Sequence, residues 1–200
     1  IVAGEKSGDI LGASLIIALR DYFPNAEFFG VGGSEMIELG CNSLCPIERL
    51  SVMGFIEPLS RLPELLSLKK KLQTSFLKER ITAFIGIDSP DFNLRLAKSL
   101  RKKGLKTVHF VSPSVWAYRQ GRILGIKESI DLMLTLFPFE EDIYKKYEIQ
   151  AECVGHPLAD QLSVEDRGLK DRRDLSITES ETVIALMPGS RIDEVNRLAP

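Results

Sequence analysis

The chain reads as an α/β protein: a doubly wound parallel sheet, followed by the first strand-helix unit of a second domain of the same kind. Three features predict this. Short apolar runs alternate with helical stretches from Ile1 to Val154, as parallel strands covered on both faces do. Glycine and proline turns stand where those runs stop, several beside an Asp or a His, and the carboxyl ends of such strands form the ligand crevice of open α/β sheets. After a polar break the alternation restarts at Thr182.

Composition narrows the class. Of the 200 residues, 44% are hydrophobic and 27% charged, which is globular rather than disordered. A net charge of −2 carries no general nucleic-acid footprint. Cys41, Cys45 and Cys153 are odd in number and the chain has two histidines, so neither a disulfide framework nor a zinc site is expected, and a reducing compartment fits. No apolar run reaches the ~18 residues of a membrane span. Both ends read as cut. There is no initiating Met, Ile1-Val2-Ala3 looks like the tail of a strand, and the residues after Asp193 stop inside a helical pattern.

The elements follow in order. After Ile1-Val2-Ala3 comes a glycine loop, Gly4-Glu5-Lys6-Ser7-Gly8-Asp9, and then a helix from Ile10 to Phe23, the opening of a βαβ unit. Glycines let backbone N–H groups approach a ligand, and a helix start favours anions. The loop matches neither the P-loop nor the dinucleotide fingerprint. Ala26 to Phe29 is the next strand, and Gly30-Val31-Gly32-Gly33 opens a helix from Ser34 to Leu39 with Gly40 as its cap. These glycines fit tight packing better than a ligand site. Cys41 and Cys45 fall in a short strand-like segment.

From Phe55 to Phe76 the residues Leu59, Leu62, Leu65, Leu66, Leu68 and Leu72 recur at helical spacing, broken by Pro58 and Pro63 and bordered by Arg61 and Lys69-Lys70-Lys71. Such an element is either a core-facing helix with a solvated lysine face, which pattern alone favours, or an interfacial helix on an anionic membrane.

Ala83 to Ile87 is a buried strand that ends at Asp88, and a helix from Phe92 to Lys103 follows, closed by Gly104. Asp88 therefore stands at a strand's carboxyl end, and Asp91 can cap the helix. On spacing alone, turning and capping suit this pair of acids as well as general-base chemistry does. Lys106 to Val111 is the next strand, in which His109 reads as a satisfied core histidine. The following loop, Ser112 to Gln120, holds the single Trp, Trp116, with Tyr118 and Arg119; such a loop suits a ligand surface, although a single Trp suits packing too. Gly121 to Ile130 is a helix, Leu132 to Leu136 a strand, Pro138 to Tyr147 a helix and Ala151 to Val154 a strand. His156 follows at that strand's carboxyl end, the better placed of the two histidines. Residues 163–180 are a polar, mixed-charge linker. Thr182 to Met187 is a strand, and Pro188-Gly189-Ser190-Arg191 turns into a helix from Ile192 to Leu198. Turn N–H groups, a helix start and Arg191 suit a phosphate or diphosphate, and a plain turn with a surface Arg fits equally. The expected organisation is a domain over residues 1–162, a linker over 163–180 and the start of a second domain over 181–200.

Taken together, the motifs resemble the lipid-A-disaccharide synthase family. They are Val2-Ala3-Gly4-Glu5 with Ser7-Gly8-Asp9-Ile10-Leu11-Gly12, Val52-Met53-Gly54, Gly86-Ile87-Asp88 with Pro90-Asp91-Phe92-Asn93, Val111 to Ala117, Pro138-Phe139-Glu140, Val154-Gly155-His156-Pro157, and Leu186 with Pro188-Gly189-Ser190-Arg191. Each is weak alone, but their order along nearly the whole chain is specific. The resemblance implies a GT-B glycosyltransferase of two Rossmann-like domains with inverting chemistry. Its donor would be UDP-2,3-diacylglucosamine and its acceptor 2,3-diacylglucosamine 1-phosphate (lipid X), with no metal and no cofactor. Residues 1–162 would be the acceptor and membrane-docking domain, and residues 181–200 would begin the nucleotide-sugar domain. Most of that second domain is absent, so the fragment alone is expected to be inactive.

By the same resemblance, acylated substrates would place the enzyme peripherally on the cytoplasmic face of the bacterial inner membrane. That favours Phe55, Ile56, Leu59, Leu62, Leu65 and Leu66 as the membrane-docking face. A sugar hydroxyl needs a carboxylate to accept its proton as it attacks, and Asp88 is the candidate. Arg191 with Gly189 and Ser190 would stabilise the departing diphosphate. Gly4, Glu5, Ser7, Gly8, Asp9, Ser112, Trp116 and His156 are the further substrate-binding candidates. The chain is compatible with a homodimer. Two competing readings are another UDP-sugar enzyme of this architecture and a non-catalytic peripheral membrane nucleotide-binding module; Asp88 and Arg191 together argue against the second.

Overall fold

A computed structural model describes residues 1–50, 61–162, 172–178, 180–187 and 195. The chain divides into two compact units, Ile1–Gln161 and Leu162–Pro200. In the first unit the elements are β1 (Val2–Ala3), α1 (Lys6–Tyr22), β2 (Phe29–Gly30), α2 (Ser34–Glu38), β3 (Asn42–Ser43), α3 (Leu62–Lys78), β4 (Ala83–Ile87), α4 (Pro90–Arg101), β5 (Lys106–Phe110), α5 (Arg122–Lys127), β6 (Leu132–Thr135), α6 (Pro138–Lys146), β7 (Ala151–Cys153) and α7 (Pro157–Gln161).

The sheet has strand order β1-β4-β5-β6-β7, and every pairing in it is parallel. β2 and β3 form a second parallel pair. A bridge between Val2 and Val31 sets this pair beside β1, with Ala3 N–H donating to Val31 O at 2.8 Å and Val31 N–H to Ile1 O at 3.0 Å. The chain thus runs outward from β1 through β2 to β3, then crosses back to β4 on the other side of β1. That reversal is the topological switch point of a doubly wound sheet.

Alternation along each strand splits the core between the two faces. Val2, Phe84 and Met133 pack with Leu68, Leu72 and Phe76 of α3 and Leu96 and Leu100 of α4. Ala3, Ile87 and Phe110 pack with Leu11 and Ile16 of α1 and Met36 of α2. Phe76 ties the first layer together, its ring 5.6 Å from that of Phe29 and 5.9 Å from that of Phe84.

Several expectations shift. α1 starts at Lys6, not Ile10, because Glu5 takes the extended cap position (φ −147°); Ser7, Gly8 and Asp9 are therefore in the helix and not in a loop. β2 is confined to Phe29–Gly30, the residues that pair with β3. α4 starts at Pro90, where a missing N–H leaves nothing unsatisfied, so Ser89 rather than Asp91 is the cap residue. Asp91 instead accepts from Arg122 Nη2 at 2.6 Å. His109 is fully buried, but neither ring nitrogen has a hydrogen-bond partner among the described residues, so it is not satisfied. In the second unit, Thr182 to Met187 forms no strand. Ile184, Leu186 and Met187 are each 87% exposed. A parallel strand exists only through neighbours on which to ladder, and no strand among the described residues pairs with this segment.

Candidate active site

The carboxyl ends of β1 and β4 meet at the switch point, and both sequences are shaped for close approach. A Cβ on Gly4 would lie 2.1 Å from Ser89 Oγ, so only glycine lets the chain leaving β1 pass the turn leaving β4. In that turn Asp88 and Ser89 are both left-handed, with φ 49° and 43°, a conformation that costs roughly 1–3 kcal/mol for a residue with a side chain. The surroundings hold it. Asp88 N–H donates to Phe110 O at 2.9 Å, extending the ladder with β5 by one residue.

Asn93, fully buried in α4, donates through Nδ2 to three carbonyls: Val2 at 3.2 Å, Ile87 at 3.1 Å and Asp88 at 2.9 Å. Two amide hydrogens shared over three acceptors clamp β1, β4 and the Asp88 turn together. Gly86 makes this possible, since a Cβ there would meet Asn93 Cβ at 2.8 Å and His109 Nδ1 at 3.2 Å. Burial pushes the His109 pKa down to about 3, so the ring beneath the turn is neutral.

Beside the turn lies a cavity of about 390 Å³. Glu5 and Asp88 line it from the strand ends, Leu62, Leu65, Leu66 and Lys69 from α3, and Phe92 and Arg95 from α4. Asp88 and Ser89 are half-buried. Arg61 holds the start of α3, its Nε donating to Glu64 at 3.2 Å and its Nη2 to Arg49 O at 3.0 Å.

The other sequence candidates separate into groups. Gly4, Glu5, Asp88, Leu62, Leu65 and Leu66 come together at this site. Asp9 does not: it is fully buried and accepts N–H groups from Gly33 at 2.9 Å, Met36 at 3.1 Å and Glu35 at 3.2 Å. It fixes the start of α2. Gly8 packs α1 against β1 and β4, near Ala3 and Ile87, and Ser7 is exposed. Ser112, Trp116 and His156 follow β5 and β7 at the same edge of the sheet, outside the cavity. Ser112 Oγ donates to Pro113 O at 3.0 Å and lies 2.7 Å from Tyr144 Oη; the phenol, its pKa pushed up by burial to about 12, is the donor of that second bond. Trp116 meets Phe139 edge-on at 5.4 Å. His156 Nδ1 accepts Leu158 N–H at 3.1 Å at the start of α7. Phe55, Ile56, Leu59, Gly189, Ser190 and Arg191 lie outside the described residues.

Sequence reasoning named Lys69 only in a basic border and Asn93 only within a motif, and took neither of them, nor Ser89 or Arg95, as a site residue. Asn93 had a signal, a polar residue three positions into a helix whose neighbours are apolar, opposite a glycine inside a strand. Among the described residues, no group of three His, Cys, Asp or Glu side chains could hold a metal ion.

The family model described as lipid-A-disaccharide synthetase matches residues 1–200, the whole chain. The chain belongs to the lipid-A-disaccharide synthase family. Proteins named lipid-A-disaccharide synthase are similar to it at 54% identity over 200 residues in Alcanivorax borkumensis, 53% over 199 in Cellvibrio japonicus and 52% over 200 in Azotobacter vinelandii. These alignments take in 100% of this chain and 52%, 52% and 53% of the three relatives. The chain thus spans about half the length of the curated lipid-A-disaccharide synthases it matches. Within this family the α/β architecture with its parallel sheet is that of a Rossmann-like GT-B domain. No helix among the described residues is long and apolar enough to cross a membrane.

Proposed function

We propose that this chain carries the acceptor side of an inverting glycosyltransferase. The enzyme joins UDP-2,3-diacylglucosamine to 2,3-diacylglucosamine 1-phosphate, releasing a lipid A disaccharide 1-phosphate and UDP at the cytoplasmic face of the bacterial inner membrane. The observation that carries the reading is the position of Asp88. It stands on a strained turn at the switch point, on the wall of a cavity of about 390 Å³ to which Leu50, Leu62, Leu65 and Leu66 add apolar surface. A carboxylate there can take the proton of the acceptor's 6-hydroxyl as its oxygen attacks the anomeric carbon of the donor. The bond to UDP breaks on the opposite side, which inverts the configuration. Arg191, with Gly189 and Ser190, neutralises the charge that the diphosphate gains. Leu62 and Leu66, both exposed at the start of α3, belong to the face that docks on the membrane.

Asp88→Asn in the full-length enzyme tests the base. Turnover is expected to fall about 10²- to 10⁴-fold, with acceptor binding retained. Turnover near that of the wild type would remove Asp88 from this role.

A further inference from the structure

The helix wall of the cavity carries two cations that have no acidic partner among the described residues. Lys98 pairs with Glu128, Arg101 with Asp131 at 3.1 Å, and Arg122 with Asp91 at 2.6 Å. Lys69 and Arg95, which line the cavity, have no carboxylate within ion-pair distance among the described residues. Lys69 Nζ donates to Ser99 Oγ at 3.0 Å, and that hydroxyl donates to Arg95 O at 2.9 Å. The ammonium is therefore held against α4, one turn from Arg95 and on the same helix face. Leu62 and Leu66, 39% and 49% exposed, adjoin on α3, with Leu65 beneath them half-buried. The strand-end wall is acidic, formed by Glu5 and Asp88, and the one carboxylate on the helix wall, Asp91, is engaged by Arg122.

We propose that Lys69 and Arg95 bind the phosphomonoester of the acylated sugar acceptor, with Leu62, Leu65 and Leu66 receiving the adjoining acyl chain. This rests on reading the cavity as the acceptor site of a glycosyltransferase. An ammonium and a guanidinium together match a phosphate dianion, and apolar surface next to them matches an amphiphile rather than a free sugar phosphate. The polarity of the cavity also sets direction. The acidic wall repels the phosphate, so the acceptor's anionic end goes to the helices and its free primary hydroxyl is turned to Asp88. The cations are specificity determinants that keep the charge of the acceptor away from the base.

The test compares diacylglucosamine with and without its 1-phosphate as acceptor, using full-length enzyme carrying Lys69→Gln, Arg95→Gln or both. The ratio of kcat/KM for the phosphorylated acceptor to that for the unphosphorylated one is expected to fall about tenfold in each single variant, and further in the double. An unchanged ratio, or an equal loss with both acceptors, overturns the proposal. A second arm measures sedimentation with phosphatidylglycerol vesicles. The variants are expected to stay bound, and loss of vesicle binding with an unchanged ratio would assign the cations to lipid headgroups instead. If wild-type full-length protein transfers sugar to neither acceptor, the glycosyltransferase reading fails by itself. Calorimetric binding of the phosphorylated acceptor then decides the subsite without turnover: weakened binding in the variants supports it, and undiminished binding overturns it.

Discussion

Asp88 is held in a conformation its own backbone disfavours, and the residues around it explain how. Two successive left-handed residues, Asp88 and Ser89, would relax if the carbonyls of the turn were free, but Asn93 ties the Ile87 and Asp88 carbonyls to that of Val2. The reach of Asn93 depends on Gly86, and the same glycine brings His109 close beneath. His109 gives this arrangement a pH signature. Its folded pKa of about 3 lies below the ordinary 6.5, owing to burial. Above pH 6.5 both folded and unfolded states are neutral at this site. As pH falls from 6.5 toward 3, the unfolded state takes up a proton that the folded state refuses, so stability is lost, by at most about 1.4 kcal/mol per pH unit. Denaturant midpoints of wild type and His109→Gln between pH 7 and 4 check this. The wild type is expected to lose stability more steeply, and parallel slopes would mean that the ring takes up its proton without unfolding.

At the scale of elements, α3 passes through two successive environments along one helix. Leu68, Leu72 and Phe76 are buried in the core, while Leu62 and Leu66, six and two residues before Leu68, are exposed. The core-facing reading of its leucine pattern therefore holds for Leu68, Leu72 and Phe76, and the interfacial reading proposed above concerns only the exposed Leu62 and Leu66. Leu72→Ala is expected to cost about 2–5 kcal/mol, measured by chemical denaturation. Leu62→Ser with Leu66→Ser in the full-length enzyme is expected to leave thermal stability nearly unchanged and to weaken binding to anionic vesicles. A large drop in melting temperature would show that these side chains support the core instead. Leu65 packs partly on the core, so its replacement is expected to do some of both. The strands from β4 to β7 were legible because each is a short apolar run ended by a turn. The start of α1 was not, because Lys6-Ser7-Gly8-Asp9 has loop-like composition and turns helical only through tertiary contacts. Gly8 packs on Ala3 and Ile87, and Asp9 bonds to the start of α2.

For the whole molecule, the sequence showed a doubly wound sheet but could not separate the strand-end residues by function. Asp88, Asp9 and His156 all read as strand-end or loop polar groups, yet only Asp88 lines the cavity. Asp9 is a buried cap, and His156 holds a short helix. Strand order decides this, because only the ends of β1 and β4 flank the reversal. Thr182 to Met187 was misread for a related reason: its apolar pattern is that of a strand, but a parallel strand needs partners, and among the described residues none pairs with it. The same logic bears on the first unit. Its sheet closes all four ladders within Ile1–Gln161, both faces are covered by its own helices, and among the described residues its core draws on none after Ile149 except Ala151. A chain ending at Gln161 is therefore expected to fold alone. Its circular dichroism melt should show one cooperative transition, with a midpoint close to that of the 200-residue chain. Loss of cooperativity, or a midpoint lower by more than about 3 °C, roughly 1 kcal/mol for a domain of this size, would mean that the residues after Gln161 contribute to the stability of this unit.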